Sequence, residues 1–176
     1  MDKFFPGLGQ DAISATEFAA YGHQLGVVKM DSYGNKYKFC KVTNVNDSDA
    51  VGYPVGIRAA GTSESDLSDD VAASSVNMPA GLTASKFTGT SQIYGWVMIE
   101  GDLETALDGA GMTVTTDGNV AQGDFCVWGA DGVIDPFALT SAAGTDGVPF
   151  IRAAKADATT SLTAGRVMGP MPAIGG

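Results

Sequence analysis

The run Ile93-Tyr94-Gly95-Trp96-Val97-Met98-Ile99, preceded by Ser91 and Gln92 and closed by Glu100 and Gly101, is the most apolar stretch of the chain. It is too short to cross a bilayer as a helix, and its β-branched and aromatic side chains suit one central strand. Because side chains alternate along a strand, Ile93, Val97 and Ile99 share one face, and Tyr94, Trp96 and Met98 share the other. Neither is a solvent face. A strand apolar on both sides has to be covered twice, by two layers of its own domain or by its own core plus another molecule. The expectation is that Ile93, Val97 and Ile99 face the domain's own core. Tyr94, Trp96 and Met98 are expected to meet a neighbouring subunit, or else a docked terminal arm.

Around this run the chain reads as short strands punctuated by glycine, of which it has 24 in 176 residues. That pattern implies an all-β fold, a small barrel or sandwich of short Gly-punctuated strands. Leu25 to Met30, the turn Asp31-Ser32-Tyr33-Gly34-Asn35 and the alternating return Lys36 to Val42 form a β-hairpin. Tyr37 and Phe39 fall on one side of the return strand, and Lys36 and Lys38 on the other. Lys29, Lys36, Lys38 and Lys41 are read together as a basic outer face, either solvated against edge aggregation or available to an acidic partner. Val51 to Arg58 is a further strand, which Pro54 assigns to an edge or a bulge. Later strands are expected at 112–116, 125–128, 133–134, 147–154 and 161–168, with a helical turn near Asp102 to Leu107.

The expected organisation is an N-terminal arm over residues 1–22, one β-rich domain over 23–168, and a C-terminal tail over 169–176. The arm holds the apolar Phe4-Phe5-Pro6-Gly7-Leu8, which either another protein surface takes up or the arm docks on its own domain, and a short helix from Ala12 to about Ala20, with Asp11 as its N-cap. Residues 59–84, rich in Ser, Asp and Ala, read as a long surface loop.

Composition narrows the function. Twenty acidic residues against ten basic ones give a formal charge of −10, which disfavours nucleic-acid and anionic-membrane partners. The N-terminus lacks a continuous apolar core of signal-peptide length, so no secretory export is expected. Cys40 and Cys126 lie far apart inside strand-like runs and read as two buried, reduced thiols. His23 stands alone in the sequence, with no nucleophile elbow, P-loop or dinucleotide fingerprint beside it. The acidic spots Asp47–Asp49, Glu64–Asp70 and Asp131 with Asp135 do not match a calcium loop and read as solvated. No catalytic residue, cofactor or metal is expected.

Three places carry a family likeness. They are Leu25 to Phe39 with its hairpin turn, Tyr94-Gly95-Trp96-Val97, and Gly118-Asn119-Val120-Ala121-Gln122-Gly123-Asp124 leading into a strand. In their order they resemble the head decoration, or capsid cement, proteins of tailed bacteriophages. That resemblance implies a small β-rich protein, commonly a trimer, with no enzymatic activity. It also implies a place on the outside of the virion capsid after synthesis in the host cytoplasm, clamping neighbouring major capsid proteins. Within it, Phe4, Phe5, Leu8, Lys36, Lys38 and Lys41 are the expected shell contacts, and Tyr94, Trp96 and Met98 the expected subunit contacts. The alternatives are a carbohydrate-binding or adhesion module of a tail or surface fibre, and a hydrolase built around His23.

Overall fold

The computed structural model describes residues 5–22, 24–43, 51–57, 63–68, 78–88, 92–116, 118–128, 133–137, 148–156 and 159–169. Phe4, His23, the Asp47–Asp49 loop and the tail from 170 onward lie outside the described residues.

The fold is all-β, with short helical pieces only. In chain order it holds β1 (Ile13–Ser14), α1 (Ala15–Tyr21), β2 (Val28–Met30), β3 (Lys36–Thr43), β4 (Pro54–Ile57), β5 (Asp66–Ser68), β6 (Pro79–Thr83) and β7 (Gln92–Asp102). After a 3₁₀ turn at Leu103–Thr105 and a single kinked turn, α2 (Ala106–Gly109), follow β8 (Val114–Thr116), β9 (Phe125–Trp128) and β10 (Val133–Pro136). The last strands are β11 (Ile151–Ala153), β12 (Ser161–Leu162) and β13 (Gly165–Val167).

Everything hangs on β7. One of its edges is occupied by β3, with Lys41 opposite Tyr94, Phe39 opposite Trp96 and Tyr37 opposite Met98. The other edge serves three partners in succession: β1 at Tyr94, β6 at Val97 and Met98, and β13 at Gly101 and Asp102. Through β6, β4 and β5 the sheet returns to β3, so β3, β5, β4, β6 and β7 close a five-stranded barrel. Past Gly101 the strand leaves the barrel and seeds a second sheet running β13, β11, β9, β10, β8, β12.

The two faces of β7 therefore feed two cores. Val97 packs with Cys40, Val42, Val55 and Leu67, drawn from three of the other barrel strands and joined by Phe87 and Ala12. Trp96 and Met98 point the other way, into a larger cluster with Tyr37, Phe39 and Leu82 from the barrel's outside. Ile134, Phe150, Ile151 and Leu162 bring the second sheet into the same cluster. Gly95 is required by the first core: a Cβ there would lie 2.7 Å from the Ser85 side chain and 2.9 Å from the Phe87 ring. As expected, Val97 lies in the domain's own core and Ile99 packs against it, whereas Ile93 is only half-buried.

The arm is docked, not free. Phe5 sets its ring edge-on to Phe39 at 5.1 Å and 5.4 Å from Trp96, whose indole Nε1–H donates to the Pro6 carbonyl at 2.7 Å. Backbone bonds from Gly9 to Ala84 and from Ala12 to Lys86 pin the next residues, and Phe18 of α1 stacks on Tyr94 at 4.2 Å. The helix starts later than the sequence suggests. Its cap is Ser14 rather than Asp11, in a reciprocal capping box with Glu17, and Asp11 forms an isolated bridge to Lys86 instead.

One further expectation is corrected, and one is decided between its alternatives. The stretch 59–84 is not one surface loop, because β5 and β6 lie in it as barrel strands, and Asp66, Leu67 and Ser68 are all buried. Strand β4 is flanked by β5 and β6, so of the two readings for Pro54 the edge does not hold and the bulge does, as the register with β6 shifts between Val55 and Gly56. Both cysteines are buried thiols outside any disulfide, and burial pushes the Cys40 thiol up to about 12. Folded protein at pH 8 is expected to leave Cys40 unmodified by a disulfide reagent, with both thiols reacting once denaturant is added.

Candidate functional site

The hairpin is built as its sequence suggests, with β2 opposite β3 in the register Val28–Lys38, Lys29–Tyr37 and Met30–Lys36. A buried polar cluster locks its turn to the barrel. Asn35 donates to the Asp31 carboxylate at 2.8 Å and to the Thr105 carbonyl at 2.9 Å, and its oxygen accepts from the Asp102 N–H at 2.8 Å. The Tyr37 hydroxyl donates to Asp31 at 2.9 Å and accepts from the Leu107 N–H at 2.8 Å. Leu107 and Asp108 both sit in the left-handed region, at φ of 57° and 58°. Asp31 is pulled two ways: partial burial pushes its carboxyl up, and hydrogen bonds from Asn35, Tyr37 and the Tyr33 N–H outweigh that and hold it below the usual range.

The four lysines do not share a face. The register sets Lys36 and Lys38 on one side, with Val28 and Met30. Lys29 and Lys41 lie on the other, beside Tyr37 and Tyr94. Lys29 stands 4.2 Å over the Trp96 ring, and desolvation there lowers its amine, partly offset by Asp108 and Asp31. Lys36 is committed to Glu100 at 2.7 Å, which holds the Glu100 carboxyl low, and Arg166 reaches Glu100 and Asp102 at 3.9 and 3.6 Å. Among the described residues Lys38 reaches only the Glu64 carbonyl, at 3.4 Å. The expected basic outer face is thus a smaller feature: Lys38 with the ion-paired Lys36, beside two apolar residues.

Those apolar residues are the exposed ones. Val28 is 53 % exposed, Met30 63 % and the turn residue Tyr33 58 %, three large apolar side chains within six residues of sequence. Strand β2 pairs only with β3 among the described strands. The Val27 carbonyl accepts from the Phe39 N–H of β3 and the Asp31 N–H donates to Asn35, so by alternation the N–H and C=O groups of Val28 and Met30 face the open edge. An unpaired edge with an apolar side is a template for another chain's strand.

The other expected contact residues lie elsewhere. Phe5 and Leu8 pack against the chain's own larger core, so neither is a free arm anchor. Trp96, 2 % exposed, and the fully buried Met98 have no surface to offer a neighbouring subunit. Tyr94 is half-buried beneath Phe18. For Tyr94 and Trp96 the cover is the arm. Val28 and Met30, by contrast, were read only as part of a strand; their place on its open edge follows from the sheet order.

Among the described residues no helix is long and apolar enough to cross a membrane, and no three His, Cys, Asp or Glu side chains gather as metal ligands. No protein-family model matches the chain, and no curated protein matches it at a significant level.

Proposed function

We propose that this chain is a non-catalytic structural protein that binds the outside of an assembled phage capsid and cements neighbouring major capsid proteins. The observation that carries the reading is the open β2 edge, where, among the described residues, the outward backbone groups of Val28 and Met30 have no partner strand and their exposed side chains lie opposite Lys38 and Lys36. Such an edge accepts an extended segment of a partner by strand addition, with Lys38 favouring an acidic neighbour. The sequence resemblance to capsid decoration proteins supplies the identity of that partner, and with it a homotrimer. With Trp96 and Met98 inside the chain, the trimer's contacts have to come from other surface. Because a cement binds the assembled lattice and not the loose subunit, each copy stabilises the shell by mass action. Several copies then add through multivalency.

Mixing the purified protein with undecorated shells tests this reading. Co-sedimentation at micromolar protein and a raised temperature of shell disruption are expected, and the absence of both defeats it.

A further inference from the structure

Three strand pairings align an exposed row across the second sheet. Phe125 stands opposite Arg152, Arg152 opposite Arg166, and Arg166 opposite Asp102. Two arginines directly opposed on antiparallel strands repel, so this register carries a cost unless an anion offsets it. Arg166 leans toward Asp102 and Glu100 at 3.6 and 3.9 Å, whereas Arg152 has no ion-pair partner among the described residues. Its guanidinium lies 5.7 Å from the centre of the Phe125 ring, which is 42 % exposed.

The row borders a hollow of about 400 Å³, lined by Asp102, Glu104, Gln122, Arg152 and Arg166. Its floor includes Gly165, where a Cβ would come within 2.9 Å of the Arg152 carbonyl oxygen. The turn that carries Gln122 is fixed by the Ala121 N–H, which donates to Asp124 at 2.8 Å, and by the Gly123 N–H, which donates to Ala153 at 2.9 Å. Glu104 pairs with Lys155 at 3.0 Å.

The geometry points to a binding site for a carboxylated sugar. Each guanidinium has the fork geometry that matches a carboxylate, and Arg152 is the one with no ion-pair partner among the described residues. Asp102 and Glu104 are acceptors without donors to spare, and Gln122 offers both, which suits ring hydroxyls. Phe125 adds an apolar surface at the edge for a pyranose face. An acidic peptide would meet the same arginines but would leave Asp102 and Glu104 without the hydroxyl donors they can accept from. The volume fits a small ligand, within the range of about 300–1,000 Å³ usual for such sites. This inference does not depend on the capsid reading.

Calorimetric titration of the full chain with trigalacturonic acid, neutral galactotriose and a tetraglutamate peptide separates the possibilities. Saturable binding of the trigalacturonate is expected, with the neutral trisaccharide about tenfold weaker or worse because the charge-assisted bonds are missing. Arg152→Gln is expected to weaken trigalacturonate binding by about tenfold at an unchanged Tm, and Arg152→Lys to recover only part of it. No saturable trigalacturonate binding at millimolar ligand overturns the proposal. So does an unaltered affinity in Arg152→Gln, or a glutamate peptide that binds as tightly as the sugar acid.

Discussion

Trp96→Ala is expected to lower folding stability by about 3–5 kcal/mol, as large-to-small changes of buried aromatics do. Trp96 is the largest fully buried side chain of the molecule and packs against both Phe39 and the arm residue Phe5. The truncation opens a cavity at the junction of arm, barrel and second sheet, and removes the cation–π partner of Lys29. It also strips the Pro6 carbonyl of its indole donor, which adds an unsatisfied acceptor to the transfer and cavity costs. Trp96→Phe fills part of the volume but cannot make that bond, so it is expected to fall between. Chemical denaturation of the three proteins measures the series. Limited proteolysis adds a local readout, with cleavage before residue 22 expected to accelerate in Trp96→Ala ahead of cleavage in the barrel.

Asn35→Ala is the second large effect expected, about 2–5 kcal/mol, from removing a carboxamide that satisfies several buried groups at once. Without it the Asp102 N–H and the Thr105 carbonyl lose their partner, and Asp31 loses a donor. Gly101 belongs to the same device. At φ of 139° it leaves space for the carboxamide, where a Cβ would approach Asn35 closely. The pH dependence follows from Asp31. Its carboxyl is held below the ordinary range in the folded state, so its contribution is present above about pH 4 and lost as the pH falls through the folded value. Part of that acid sensitivity is expected to vanish in Asn35→Ala, which urea titrations at pH 7 and pH 3 would register as a smaller difference between the two pH values than in the parent.

The parts of the fold that were legible in the sequence are those set by local pattern. Alternation and turn residues were enough for the hairpin, and the apolar run was enough for β7. The Ser14-x-x-Glu17 box was written in the sequence as well, yet Asp11 drew the cap because it precedes an apolar stretch. Strand β5 was hidden because its buried residues include Asp66 and Ser68, which carry no hydrophobic signal. What covers β7 was illegible for a different reason. The Trp96–Pro6 bond joins residues 90 apart, and no periodicity near either one announces it. The basic face failed on register: parity along β3 already separates Lys41 from Lys36 and Lys38, and pairing sends Lys29 to the Tyr37 side. The Arg152–Arg166 row depends on three pairings in succession, which a linear reading does not contain.

Filling both sides of β7 from within the chain changes where a partner can bind. The apolar run that first suggested a neighbour is satisfied internally, and the surface proposed for one instead is the β2 edge. Co-sedimentation with undecorated shells, comparing the parent with the double variant Val28→Asp, Met30→Asp, tests that claim most directly. Both substitutions fall on exposed positions, so an unchanged Tm is expected to accompany loss of shell binding. A variant that keeps its fold and still decorates shells as well as the parent would contradict the account.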